Sequence, residues 1–282
     1  MTAAIAHSTD DVTVGTLLRG WRQRRGISQL ELALKADSSA RHISFIETGR
    51  AKPSQAMVLR LAEHLKVPVR ERNTLLLAAG YAPAFRQTPL GDPAMRAPRT
   101  ALESLLAAHE PNPALVMDAG YDIVSANRGI QLLLDEVPGH LLRPTMNAMR
   151  LTLHPQGLAP RIRNLAQWRG HLLERIQDQL TMRPLPALRA LYEEVAAYPM
   201  PDSTPDGAGH GHPRPDQAPT AAEAYRYALP LRIEVNGQVL SFLSAATTFN
   251  TPTDVTVSEL AIETFLPADT RTARALRTLA RT

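Results

Sequence analysis

The stretch Ile27–Lys52, I-S-Q-L-E-L-A-L-K-A-D-S-S-A-R-H-I-S-F-I-E-T-G-R-A-K, decides how the chain is read. Ser28 and Glu31 form the S-x-x-E pattern of a capping box, in which the hydroxyl accepts from the amide three residues on and the carboxylate reaches back to the Ser28 amide. A helix is therefore predicted from Gln29 to about Ala36. Asp37 and Ser38 suit a turn and an N-cap better than a helix interior, so Ser38 is expected to start a second helix ending near Gly49. At roughly 100° per residue, Ile43 and Ile46 share one face of that helix, and Arg41, Ser44, Phe45 and Thr48 lie on or near the other.

Two short helices around a tight turn make a helix-turn-helix, and the outward residues have the chemistry of a nucleic-acid reader. Arg41 and Ser44 can meet base edges, while Arg50 and Lys52 suit phosphates. The charge distribution agrees. Between Thr13 and Arg72 there are twelve Lys and Arg against five Asp and Glu, an excess of seven, although the whole chain carries only +4. A basic segment coinciding with the motif is the electrostatic footprint of a phosphate-binding module.

Outward from the motif, Leu17, Leu18 and Trp21 recur at helical spacing between Val14 and Arg25, and Gly26 ends that helix. Ser54 can cap a fourth helix with Met57, Val58, Leu61 and Leu65 as its stripe, and Pro68 to Ala79 supplies a fifth, closed by Gly80. Residues 13–80 are read as an all-α five-helix domain, preceded by a disordered tail at 1–12.

At 282 residues the chain has room for a second domain. The segment 81–99, rich in Pro and without period, reads as a connector. Residues 100–282 are expected to form an α+β domain around an antiparallel sheet. Its elements are a helix at Thr100–His109, strands at Leu115–Met117 and Tyr121–Ser125, and helices at Asn127–Asp135, Pro160–Leu180 and Pro186–Tyr198. A hairpin over Tyr227–Thr248 turns at Asn236-Gly237, a third late strand runs over Asp254–Phe265, and a helix closes the chain at Asp269–Arg281. The loop 199–220, with six Pro and almost nothing apolar, is expected to be disordered.

Composition excludes much. With no Cys there is no disulfide, thiolate zinc site or cysteine nucleophile. Neither a run of about 18 apolar residues nor a signal-peptide pattern is present, so a cytoplasmic protein without a membrane partner is expected. No G-x-S-x-G, phosphate loop, dinucleotide fingerprint or H-E-x-x-H occurs, and no enzyme is expected.

With these residues in hand, the N-terminal domain resembles the lambda-repressor-like, xenobiotic-response-element (XRE) helix-turn-helix regulators. S-Q-L-E-L-A at Ser28–Ala33, I-S-F-I-E-T-G-R at Ile43–Arg50 and P-S-Q-A-M-V-L-R-L-A at Pro53–Ala62 carry the likeness, which covers about Val14–Ala79. L-L-L-A-A-G-Y-A-P at Leu75–Pro83 and N-P-A-L-V-M-D-A-G-Y-D-I-V-S-A-N-R at Asn112–Arg128 resemble the subfamily with a C-terminal MmyB-like ligand-binding domain. The resemblance implies transcription regulation on a double-stranded DNA operator, a PAS-like second domain and an apolar ligand such as a fatty acid; a homodimer is expected because one short recognition helix reads only a few base pairs and two-fold symmetry adds a second half-site. It also implies a phosphate contact at Gln29, base-facing positions at Ala40, Arg41 and Ser44, and a structural ion pair between Arg22 and Glu47. Ser39, His42, Arg50 and Lys52 complete the expected DNA-binding set.

Candidate ligand contacts in the second domain are Asn127, Met146, His154, Trp168, Leu172, Phe242 and Phe265. For His154 a satisfied local hydrogen bond is the competing reading, and for Trp168 ordinary core. His210 and His212 in the Pro-rich loop are weighed as metal ligands and read as polar filler, so no metal site is expected and no cofactor beyond a bound apolar ligand. Arg150, Arg161, Arg163, Arg169 and Arg175 read mostly as a solvated face, from which one fork could anchor a carboxylate. The alternative to a ligand-binding domain is a dimerisation or protein-partner module.

Overall fold

The computed structural model describes residues 13–182, 185–200 and 228–279. The tail at 1–12, the Pro-rich loop from 201 onward, and His210 and His212 lie outside these residues. Contacts divide the chain into two units near Pro89, and Asn250–Ser258 belongs with the first.

The first unit holds α1 (Val14–Arg24), α2 (Gln29–Lys35), α3 (Ala40–Glu47), α4 (Gln55–His64) and α5 (Val69–Ala78). Thr13, Ser28, Ser39 and Ser54 cap the first four, each side chain accepting from the amide three residues on. The cap of α3 is thus Ser39 and not Ser38. Asp37 takes a left-handed φ of 49°, which lengthens the turn by one residue. Leu18, Trp21, Leu32, Ile43, Ile46 and Leu61 form the centre of the bundle. Helix α1 crosses α3 so closely that a Cβ at Gly15 would stand 2.3 Å from the Ile46 carbonyl oxygen.

The second unit opens with a 3-10 turn at Pro93–Met95 that runs into α6 (Arg96–Ala108). It continues through β1 (Ala114–Met117), β2 (Ile123–Ala126), α7 (Arg128–Leu134), α8 (Gly139–Leu142), α9 (Ala148–Leu153), α10 (Leu165–Met182) and α11 (Pro186–Ala196). Strands β3 (Leu231–Val235) and β4 (Gln238–Thr248) follow, then, after the segment of the first unit that carries α12 (Val255–Glu259), β5 (Ala261–Pro267) and α13 (Thr270–Leu279). The five strands pair antiparallel in the order β2-β1-β5-β4-β3. Leu115 pairs with Glu263 and Met117 with Ala261, so alternation puts these on one face with Phe265. Trp168, Leu172 and Ile176 of α10 belong to the core on that face. On the opposite face Ala114, Val116 and Ile262 pack with Leu102 and Leu106 of α6.

Several boundaries differ from expectation. Residues 255–259, with V-T-V-S strand propensity, are helical, and the last strand starts only at Ala261. Asp254 decides this: its Oδ1 accepts from the Thr256 amide at 2.8 Å, and its Oδ2 takes the Thr88 amide and hydroxyl at 3.1 and 2.7 Å. Local capping overrides β propensity there. Tyr121 is not in a strand, because Asp118 Oδ1 accepts from the amides of Gly120 and Asp122 and turns the chain through φ 65° at Tyr121. The long helix begins at Leu165 rather than Pro160. Ile162 is extended and bridges to Ile233, and Asn164 clamps the start of β3 by bonds to Pro230 O and Arg232 N. Helix α6 begins at Arg96, inside the expected connector, with Pro98 in its first turn where no amide partner is needed. Helices α8 and α9 went unforeseen.

Candidate DNA-binding face and ligand cavity

Helix α3 is held by its inner side. Ile43 and Ile46 are buried, and Glu47, 6% exposed, receives the Arg22 guanidinium on both oxygens at 2.6 and 2.8 Å. Gln29 Nε2 adds a third bond to Glu47 Oε2 at 2.8 Å, and Arg22 Nη1 reaches the Ile27 carbonyl at 2.9 Å. These contacts tie α1, the turn before α2, the first residue of α2 and the last of α3. Burial pushes the Glu47 carboxyl up, but bonds from Arg22 and Gln29 and the charges of Arg22 and Arg19 outweigh it, so the group lies below its ordinary range. Arg22 and Glu47, read as a structural ion pair, meet as one. Gln29 is positioned by the same carboxylate, and its amide keeps a second N–H.

With that side fixed, Ser39, Arg41, Arg50 and Lys52 are exposed, and Ala40, His42, Ser44 and Phe45 are half-buried. The Arg41 guanidinium stands 5.2 Å from the Phe45 ring, one turn along the helix, so the ring supports the arginine stem. Gly49, at φ 74°, closes α3, and the Arg50 and Ala51 amides return to the Phe45 carbonyl. Lys52 Nζ lies 5.4 Å from the Tyr81 ring, whose hydroxyl donates to Pro53 O. Arg41 and Lys52 therefore each rest beside an aromatic ring.

In the second unit a cavity of about 60 Å³ lies between the sheet and the helices. Leu115, Ile130, Met149, Trp168, Leu172 and Phe265 form much of its wall, with Glu263 the sole charged lining residue among those described. Trp168, Leu172 and Phe265 of the expected ligand set are brought together there. The others are not. Asn127 is buried and spends its amide on Leu106 O, Asn112 O and Ala114 N, so it fastens backbone. His154 caps α9, its Nδ1 accepts from the Gln156 amide, and its ring meets Tyr198 edge-on. Phe242 is core on β4, and Met146 packs at the core's edge.

The Arg set is partly a solvated face, with the Arg150 and Arg163 side chains 41% and 51% exposed, but each member has a partner, and Arg175 is the fork that anchors a carboxylate. Arg150 grips Glu194 with two nitrogens, Arg161 reaches Leu133 O, Arg163 pairs with Glu234, and Arg169 closes the end of α11 through Ala196 O and Tyr198 O. Arg175 Nη1 bonds Glu263 Oε2 at 2.9 Å, and Ser244 donates to Glu263 Oε1 at 2.6 Å. Arg175 also lies 5.6 Å from the Tyr121 ring. The Tyr121 hydroxyl is buried without a hydrogen bond; Arg175 is near enough to lower its proton affinity, yet burial prevails and pushes it up to about 12. Glu263 and Ser244 were missed as site residues. The signal was a lone carboxylate among core-facing Ala261 and Phe265 on an alternating strand.

The N-terminal geometry is that of a helix-turn-helix module, and the second unit is an α+β domain with a largely apolar cavity. The MmyB-like transcription regulator ligand binding domain matches residues 98–279, and a helix-turn-helix family matches residues 18–72. The chain belongs to the MmyB-like transcription regulators. It is 36% identical over 63 residues to multiprotein-bridging factor 1 of Candida albicans, a match covering 22% of this chain and 42% of that relative. The clp gene regulator ClgR from Corynebacterium glutamicum is a structural neighbour at 24% identity and TM-score 0.21, covering 35% of this chain and 90% of that one. Among the described residues no helix is long and apolar enough to cross a membrane, and no cluster of three metal-ligating side chains occurs.

Proposed function

We propose that this transcription regulator binds a specific DNA operator through α2 and α3, and that an apolar small molecule in the second unit changes its affinity. Arg41 and Ser44 would meet base edges. Ala40 would face bases beside them, Gln29, Ser39, Arg50 and Lys52 would hold phosphates, and His42 would lie at the margin of the interface. The observation that carries the DNA reading is the one-sided pinning of α3 by Arg22, Gln29 and Glu47, which leaves the Arg41 side outward.

The second unit is read as PAS-like, supported by the strand order β2-β1-β5-β4-β3 around an apolar wall. The family supports a ligand, and a fatty acid is one candidate. A route for coupling runs through the chain itself. The segment 250–258, which joins β4 to β5, belongs to the first unit and is tied to residues 86–88 by Asp254 and the Val255 amide. A ligand that displaces β5 would bias that segment, and a ligand shifts an equilibrium only by its differential affinity for the two states. A homodimer is proposed because one short recognition helix reads few base pairs, and two-fold symmetry adds a second half-site about one turn away. A cytoplasmic site of action goes with this reading.

One observation favours a second reading. The void of about 60 Å³ is far below the roughly 300–1,000 Å³ of ordinary ligand sites. The second unit would then be a packed dimerisation or partner module without a small ligand. Native mass spectrometry of protein stripped of lipid and then exposed to a lipid extract separates the two. A bound apolar mass supports the ligand reading, and an empty chain supports the module.

A further inference from the structure

We propose that the cavity takes a neutral apolar ligand with a hydroxyl donor at one end, bonded by Glu263, and that it discriminates against ionised carboxylates. The inference rests on the ligand-binding reading and narrows it.

Glu263 is 6% exposed and occupies a core-facing position on β5, directly opposite Leu115. A buried ion pair is a poor source of stability, since desolvation offsets most of its attraction. Its position on the wall of an otherwise largely apolar cavity gives it another use. Ser244 and Arg175 supply one hydrogen bond to each carboxylate oxygen, and a carboxylate offers about four lone-pair positions. Accepting capacity is therefore left on the wall.

The pair with Arg175 also cancels the charge, so a neutral hydroxyl can add a hydrogen bond without leaving a buried charge uncompensated. An ammonium would leave one excess positive charge. A carboxylate would face Glu263, and two carboxylates in one site force one of them to take up a proton. The small void means that an occupant must displace wall side chains; the unbranched Met149 is suited to yield.

The test is calorimetric titration of the full chain with 1-decanol and with decanoate between pH 6 and 8. Decanol is expected to bind with a flat pH profile and, at pH 8, roughly tenfold or more tightly than decanoate. Decanoate is expected to strengthen about tenfold per unit as pH falls, because it must enter with a proton. In a Glu263→Gln variant, which removes the facing carboxylate and leaves the Arg175 guanidinium to pair with the probe, the preference should disappear. Decanoate binding as tightly as decanol at pH 8 with a flat profile overturns the proposal and leaves the cavity reading standing. Failure of both probes to bind overturns both.

Discussion

Arg22 and Glu47, 25 positions apart, meet in a two-pronged ion pair in which Nε and Nη2 of the arginine each reach a different carboxylate oxygen. The carboxylate side chain is 2% exposed and the guanidinium side chain 12%, so water screens the pair little. It joins α1 to the last residue of α3, and through Gln29 it also sets the start of α2. Removing one partner leaves a buried charge. Glu47→Ala is expected to destabilise the first unit by about 3 kcal/mol, the low end for breaking a buried pair. Hydrogen exchange of the α3 amides in the full chain measures it; an unchanged exchange rate would contradict the assignment.

The same carboxylate predicts a pH dependence. Its folded pKa is depressed below that of the unfolded chain, so its contribution is fully present above the unfolded value of roughly 4.3 and is lost as pH falls through the folded pKa. Protection of α3 amides should fall from about pH 4.3 downward in the wild type. In Glu47→Gln, which does not titrate, that part of the decline should be absent.

Gly15 supplies a steric prediction. A methyl at this position would meet the Ile46 and Glu47 carbonyl oxygens at 2.3 and 2.9 Å, both backbone atoms that cannot step aside alone. Gly15→Ala should cost about 1–3 kcal/mol by forcing α1 from α3, against the usual gain from alanine in a helix. Urea denaturation followed by far-UV circular dichroism reads the change.

The two proposed kinds of DNA contact can be separated. Arg41→Ala should cost about 1–3 kcal/mol of sequence discrimination, whereas Lys52→Ala should weaken all duplexes alike and lower the salt slope by about one contact. Phe45→Ala, which removes the ring beneath Arg41, should reduce discrimination in the same direction but by less. Equal effects of the Arg41 and Lys52 variants on specific and random duplexes would contradict the roles given to them.

The first unit was legible because its signals are local. Ser28, Gly26, Gly49 and Gly80 mark helix ends within a few residues of where the physics acts, and Ile43 with Ile46 fixes the inner face of α3. Two details differ: the cap is Ser39 rather than Ser38, which turned on the left-handed Asp37, and the Glu31 carboxylate takes Lys35 at 2.9 Å instead of reaching back to the Ser28 amide. The second unit was legible in class and in its Asn236-Gly237 hairpin. Legibility fell where distant partners decide: Asp254, in the segment 250–258 of the first unit, bonds Thr88 across 166 positions and makes a helix of V-T-V-S, and in the second unit Arg175 reaches Glu263 across 88. Nothing near Arg175 in sequence announces that partner, so it passed for surface beside Glu174 and Asp178.

The route proposed for coupling makes Asp254 separable from the ligand site. Asp254→Ala removes the bonds to Thr88 and to the Thr256 amide, none of which touches the cavity wall. Decanol affinity should stay within about twofold of wild type, while the effect of decanol on operator affinity should fall by half or more. Parallel calorimetric and anisotropy titrations check it.

Occupancy of the cavity is expected to alter DNA binding. Fluorescence anisotropy of the full chain on an operator selected from random sequence, with and without 1-decanol at a calorimetrically saturating concentration, tests it most directly. Operator affinity is expected to change by about fivefold or more, the lower range of known coupling free energies. An affinity unchanged at saturation would contradict it.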